Sequence, residues 1–130
     1  MAMKTAPEST GSSYPVHEKT LLIRPEFLNH AGTLFGGFMM QWADEMAYNA
    51  ASLAFPGAFV TKLVREFNFQ SPVRNGDIIK IYSHVASVGR TSCVVEVWAL
   101  NAQQKAEVFR TSAIMVNIQD GKATPIQPGQ

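Results

Sequence analysis

The chain has little with which to staple or anchor itself. One cysteine, Cys93, stands among 130 residues, which excludes an intrachain disulfide framework. That cysteine and three histidines form no cluster at metal-ligand spacing, so neither a structural zinc nor any other resident metal is expected. Charge of one sign is also lacking. Eleven Lys and Arg against ten Asp and Glu leave a net charge of +1, too even a balance for a nucleic-acid surface or a polybasic membrane patch. No apolar run reaches the ~18 residues that a membrane span needs. Residues 1–15 are rich in Ser, Thr, Gly and Pro without an apolar stretch, and read as a flexible leader rather than a signal peptide. A cytoplasmic protein with no nucleic-acid or membrane partner is the expectation. The length suits one domain, placed at 16–120, with a flexible Pro/Gln/Gly-rich tail over 121–130.

What is present is organised around one helix. A polar loop closed by Gly36 and Gly37 runs into a stretch of Ala, Met, Leu and aromatics that Pro56 and Gly57 stop. Nearly every face of this helix is apolar, which predicts burial on most sides. Asp44 breaks the pattern. An isolated carboxylate is costly to bury, and no Lys or Arg occurs from Pro25 to Thr61 to pair with it locally. Asp44 therefore either reaches a cleft or has a role.

The remainder reads as strands. Lys19 to Arg24 holds the first, Phe59 to Phe69 the second, and Ile78 to Val88 the third, entered through the Arg74-Asn75-Gly76-Asp77 turn. Gly89-Arg90 links to a fourth over Thr91 to Asn101, with Cys93, Val95, Val97 and Ala99 on one face. Glu107 to Ile118 alternates as a fifth. The fold class is α+β: one long buried helix wrapped by a five-stranded antiparallel sheet. A helix covers one face of a sheet, whereas Trp98, Phe67 and Phe69 fall on both, so self-association is expected.

Two constellations carry chemistry. First-turn N–H groups of a helix lack intrahelical partners and sit at the positive end of its dipole, so the Gly36-Gly37 end can hydrogen-bond an oxyanion. Equally, the two glycines serve close packing against a strand. Glu45 points about 100° away from Asp44 and forms no shared-proton pair with it. Tyr48 lies one turn beyond Asp44 on the same face, either lining a pocket or sitting in the core. Asn29 and His30 read as loop residues.

Asn29-His30-Ala31-Gly32-Thr33-Leu34-Phe35-Gly36-Gly37 through Met40 to Asp44 resembles the Asn-x-x-Gly-x-x-Phe-Gly-Gly-x-x-Met-x-x-x-Asp signature of the hot-dog-fold acyl-CoA thioesterases, of the YciA-like kind. The similarity extends through Val60-Thr61, Phe69 to Val73, Gly76-Asp77 and Gly89 to Ser92, covering residues 18–118 or so. The resemblance implies a hot-dog fold, a dimer with a shared sheet or a trimer of such dimers, and hydrolysis of acyl-CoA with no cofactor beyond the coenzyme A of the substrate. It assigns Asp44 as the catalytic carboxylate, Asn29 as a polar group near the thioester, and a Gly36 or Gly37 amide as the group polarising the carbonyl. Arg90, Thr91 and Ser92 match a turn that contacts the nucleotide end, with an ordinary polar turn as the alternative. Tyr48 departs from the small residue of the family pattern, and a ring there would shorten the pocket.

Two other functions fit the same fold. One is an acyl-thioester hydratase or dehydratase, which needs a histidine beside the carboxylate. The other is a catalytically silent acyl-CoA-binding module.

Overall fold

The computed structural model describes residues 14–127. The expected leader lies outside the described residues apart from its last two positions, and so do the final three residues of the expected tail.

One helix lies against one curved sheet. The helix, α1, spans Gly36–Ala54. It buries Met39, Trp42, Ala43, Met46, Ala47, Ala50 and Ala51, a stripe at three- and four-residue spacing. Four of the seven are alanines, so the helix backbone can lie close on the strands. The buried Ser83 hydroxyl donates to the Met46 carbonyl at 2.9 Å, a tie that only such close approach permits. Pro56 forces Phe55 into extended backbone and ends the helix there.

The strands are β1 (His17–Leu22), β2 (Phe59–Phe69), β3 (Ile78–Val88), β4 (Ser92–Asn101), β5 (Glu107–Gln119) and a two-residue β6 (Lys122–Ala123). All pair antiparallel, in the order β1-β3-β4-β5-β2, with β6 added beside β5. The sixth strand adds to the five expected. It lies inside the stretch assigned to the tail, where the Ile126 N–H also donates to the Arg90 carbonyl at 2.8 Å. The Asn75-Gly76 turn is as expected, with Gly76 at φ +90°. It does not join sheet neighbours, because β2 crosses over to pair with β5.

The inner face of the sheet carries Ile79, Ile81, Val85, Cys93, Val95, Val97, Ala99, Phe109, Ala113 and Met115 against the helix. On the outer face Trp98 is fully buried, stacked on Tyr82 with ring centroids 5.6 Å apart and overlain by the Arg110 guanidinium. Trp98 thus needs no second chain to cover it. Phe67 likewise turns inward, 4.9 Å from the Phe109 ring.

The helix departs from the expectation of burial all round. Met40, Asp44, Glu45, Tyr48 and Leu53 face solvent in the single chain. Beside them runs β2, an edge strand on which Val60, Leu63, Val64 and Phe69 are all exposed. A long exposed edge strand is a ready template for further pairing, and on this one the apolar side chains are interspersed with exposed Lys62, Arg65 and Glu66. The uncovered surface is therefore concentrated along α1 and β2, not spread over the back of the sheet.

Candidate active site

Asp44 is held at the open edge of α1 where it overlooks β2. Its Oδ1 accepts a hydrogen bond from the Thr61 hydroxyl at 2.5 Å. Thr61 reaches it because its register partner on β5 is Met115, an inward-facing residue, so both side chains stand on the helix side of the sheet. Asp44, Tyr48, Asn49, Phe59 and Thr61 line a cleft of about 510 Å³. Glu45 also borders it, but is drawn towards Lys19, 3.7 Å away. No cation lies within ion-pair distance of Asp44 among the described residues. Asp44 reaches a cleft, and Tyr48 is half exposed in that cleft, not a core residue.

The glycines belong to a different cleft. Gly36 and Gly37 are the first two residues of α1 and not the last of the loop, and no side chain caps this end. A Cβ on Gly36 would sit 3.3 Å from the Phe69 ring, and one on Gly37 only 2.6 Å from the ring of Phe35. Close packing thus disfavours a side chain at both positions, and the same lack of side chains leaves the first-turn amides approachable. Thr33, Leu34, Gly36, Phe69, Gln70 and Pro72 border about 410 Å³ here. Asn29 works behind this cleft. Its Oδ1 accepts from the Ala31 and Thr33 N–H groups at 2.9 and 3.1 Å, and its Nδ2 donates to the Thr33 hydroxyl at 3.1 Å, so the side chain closes the loop leading to the helix. Asn29, Gly36 and Gly37 thus gather at one end of α1, while Asp44, Tyr48 and Thr61 gather eight residues further on.

Thr91 and Ser92 border a third cleft, about 340 Å³, together with Val60, Lys62 and Ile118. Arg90 is exposed at the turn beside it. Sequence reasoning did not single out Lys62, and it included Thr61 only within a matching stretch. Both are ordinary strand residues until the fold sets one beside Asp44 and the other beside Ser92.

Other nucleophiles and ligands are poorly placed. Burial pushes the Cys93 thiol up to about 11, well away from a reactive thiolate. His84 bonds Glu96 at 2.9 Å on the outer face of the sheet, opposite the helix. Among the described residues, no group of His, Cys, Asp and Glu could hold a metal ion, and no helix is long and apolar enough to cross a membrane.

The model of the thioesterase superfamily matches residues 31–108, more than half the chain. This chain belongs to the thioesterase superfamily. An uncharacterised acyl-CoA thioester hydrolase of Zymomonas mobilis is 32% identical over 77 residues, 59% of this superfamily member and 52% of that protein. The chain thus spans about half the length of that curated relative. An acyl-CoA hydrolase from Staphylococcus aureus, solved with butyryl coenzyme A, coenzyme A and coenzyme A disulfide, superposes with a TM-score of 0.80 at 27% identity, over 88% of this chain and 70% of that one. Variants of the same hydrolase with one asparagine, one aspartate or one threonine replaced by alanine superpose at 0.78 and 25% identity. A hexameric thioesterase from Yersinia pestis superposes at 0.76 with 26% identity, over 85% of this chain and 94% of that one. The hot-dog fold implied by the signature around Gly36 and Asp44 is the fold of this superfamily member.

Proposed function

We propose that the protein hydrolyses acyl-CoA thioesters to a carboxylic acid and free coenzyme A, as a homo-oligomer in which each active site is shared by two chains. The observation that carries this is the Asp44–Thr61 hydrogen bond in an open cleft, set apart from an uncapped helix end in another. Asp44 takes a proton from water as the water oxygen attacks the thioester carbon, or attacks that carbon itself. The Gly36 or Gly37 amide receives the charge that develops on the carbonyl oxygen. In the first route the proton held by Asp44 passes to the coenzyme A thiolate as the tetrahedral species collapses. In the second, collapse leaves a mixed anhydride on Asp44, which water opens at the Asp44 carbonyl carbon, freeing the acid and giving a proton to the thiolate. Single turnover in oxygen-18 water separates the two routes, since direct attack delivers the label first to Asp44.

Both groups must meet at one carbonyl, yet eight residues of helix put them about 12 Å apart along the axis. A second copy removes the difficulty. The helix runs antiparallel to β2, with Gly36 against Phe69 and Asp44 against Thr61. Met40, midway between Gly36 and Asp44, lines the same small cavity as Val64, the midpoint of β2. A two-fold axis at that level sets β2 beside its own copy and the neighbouring helix end beside Asp44 in one operation. The exposed surface of α1 and β2 supports self-association of the kind expected, a dimer or a trimer of dimers.

The hydratase alternative finds no support in the single chain, where no histidine of the described residues lines the Asp44 cleft. Thiol release from a panel of acyl-CoA thioesters, read with a thiol-reactive dye, tests hydrolysis against silent binding. Binding without release at every chain length would leave only the binding module.

Thr61→Val keeps the strand and removes the hydroxyl that orients Asp44. Turnover is expected to fall about 10- to 100-fold with an unchanged melting curve. Turnover equal to wild type would show that Asp44 needs no such partner.

Arg90, exposed beside the Thr91-Ser92 cleft, is placed to meet the coenzyme A phosphates through charge-assisted, salt-sensitive contacts. Arg90→Ala should raise KM severalfold with a smaller change in kcat, and more for full coenzyme A thioesters than for pantetheine thioesters. Equal effects on the two substrates would remove Arg90 from the nucleotide site.

A further inference from the structure

Beside Asp44, on the side away from Tyr48, lies a small cavity that is open in the single chain along exposed Met40 and Val64. Met40, Ala43 and Asp44 of α1 and Val64, Thr111 and Ala113 of the sheet line it, and its volume is about 30 Å³. We propose that this cavity receives the acyl tail, and that Met40 and Ala113 restrict the protein to short acyl groups, from acetyl to about butyryl. The inference rests on the hydrolase reading of Asp44 and adds the class of substrate.

Size, polarity and direction all suit an acyl tail. Apart from Asp44 at its mouth, the cavity offers one polar side chain, and the Thr111 hydroxyl already donates to the Arg65 carbonyl at 2.6 Å. No unspent donor therefore calls for a polar occupant, and an alkyl tail satisfies the walls better than water. The floor is Ala113, buried on the inner face of the sheet, so the space is a dead end. A water occupies roughly 10–15 Å³ in this measure, so about 30 Å³ holds two or three such groups. That sets a limit of about two or three carbons beyond the carbonyl, which shorter acyl groups also meet.

The coenzyme A arm needs a long path with polar edges, and the structure has one in the opposite direction. The wide cleft past Tyr48 and Asn49 reaches Val60, which also lines the cleft of Lys62, Thr91 and Ser92. With the arm leaving that way, the tail must point towards Met40. The two-fold axis at the Met40 level then sets the two tails of a dimer end to end, which bars extension past that side chain.

Chain-length profiles of hydrolysis from acetyl- to lauroyl-CoA, with matching affinities for non-hydrolysable S-alkyl-CoA thioethers, test the assignment. For the wild type, kcat/KM should fall at least about tenfold from butyryl to hexanoyl. Met40→Ala opens the wall and should raise the hexanoyl-to-butyryl ratio about tenfold. Ala113→Val fills the floor and should lower the butyryl-to-acetyl ratio by about as much. The two variants push in opposite directions, so loss of folding in either cannot imitate the pattern. A wild type that hydrolyses octanoyl- or lauroyl-CoA as well as butyryl-CoA overturns the proposal, as does a profile that ignores both variants and moves with Tyr48→Ala. Should no thioester be hydrolysed while thioether affinity still peaks at ethyl to butyl and follows Met40, the hydrolase reading fails and the cavity assignment stands. Thioether affinity indifferent to chain length overturns the cavity assignment alone.

Discussion

Asp44→Ala is expected to lower turnover by about a thousandfold or more while leaving the protein folded. A positioned general base contributes on the order of 10² to 10⁴ in rate, and a nucleophile is needed outright. Asp44 is the only carboxylate of its cleft without a nearby cation, since Glu45 faces Lys19 at 3.7 Å. Structurally it carries little weight, because it is exposed on α1 and, among the described residues, its side chain is tied through the Thr61 hydroxyl, which water can replace. An exposed change of this kind shifts stability by about 0.5 kcal/mol or less, a few degrees in Tm at most. The measurement is steady-state thiol release beside a melting curve. Near wild-type turnover from a folded Asp44→Ala protein would remove the residue from the chemistry. A variant that loses activity only by unfolding would show instead that the carboxylate is structural.

Asp44 also shows what a sequence discloses and what it leaves out. The anomaly of a lone carboxylate among Ala and Met side chains was visible at once, because no cation lay near it in the chain. Its partner was not visible. Thr61 is a β-branched residue in a β-rich run, and nothing local marks it until the strand comes to lie across the helix. The boundaries of β2 and β3 were legible because turn residues punctuate them on both sides: Pro56-Gly57, Ser71-Pro72 and Asn75-Gly76. The first strand, expected over Lys19 to Arg24, lies two residues earlier at both ends, at His17–Leu22, since polar His17 and Glu18 still pair with Ser83 and Tyr82. The place of β2 beside β5 left no local trace, because such pairing joins segments far apart in the chain. Which face of α1 would be covered was hidden for the same reason. Met39 and Met40 are equivalent as letters, yet one is buried against the sheet and the other stands at the open edge. Gly36 and Gly37 read as loop residues because glycine is a poor helix former. They are instead the first two residues of the helix, where the rings of Phe69 and Phe35 leave little room for a Cβ.

Mixing two inactive variants should restore activity, and this follows from the separation of the two clefts. Asn29 closes the loop that delivers Gly36, through hydrogen bonds to Ala31 and Thr33, so Asn29→Ala should disable the oxyanion end without touching Asp44. Asp44→Ala disables the other end and leaves that loop whole. If one site takes its amide from one chain and its carboxylate from the neighbour, each single variant spoils both sites of its own homodimer. In a mixed dimer one site inherits both lesions and the other inherits none. Random exchange makes about half of all dimers mixed, and each then has one working site of two, so recovery should approach about a quarter of wild-type activity for independent sites. Subunit exchange is confirmed by native mass spectrometry and the folding of both parents by their melting curves. With those controls satisfied, no recovery would mean that Asn29 and Asp44 serve one site from the same chain, against the two-fold arrangement that the Met40 and Val64 midpoints favour. Recovery near a quarter would instead require the partner's helix end to lie within reach of Asp44, which a β2-to-β2 pairing about Val64 provides.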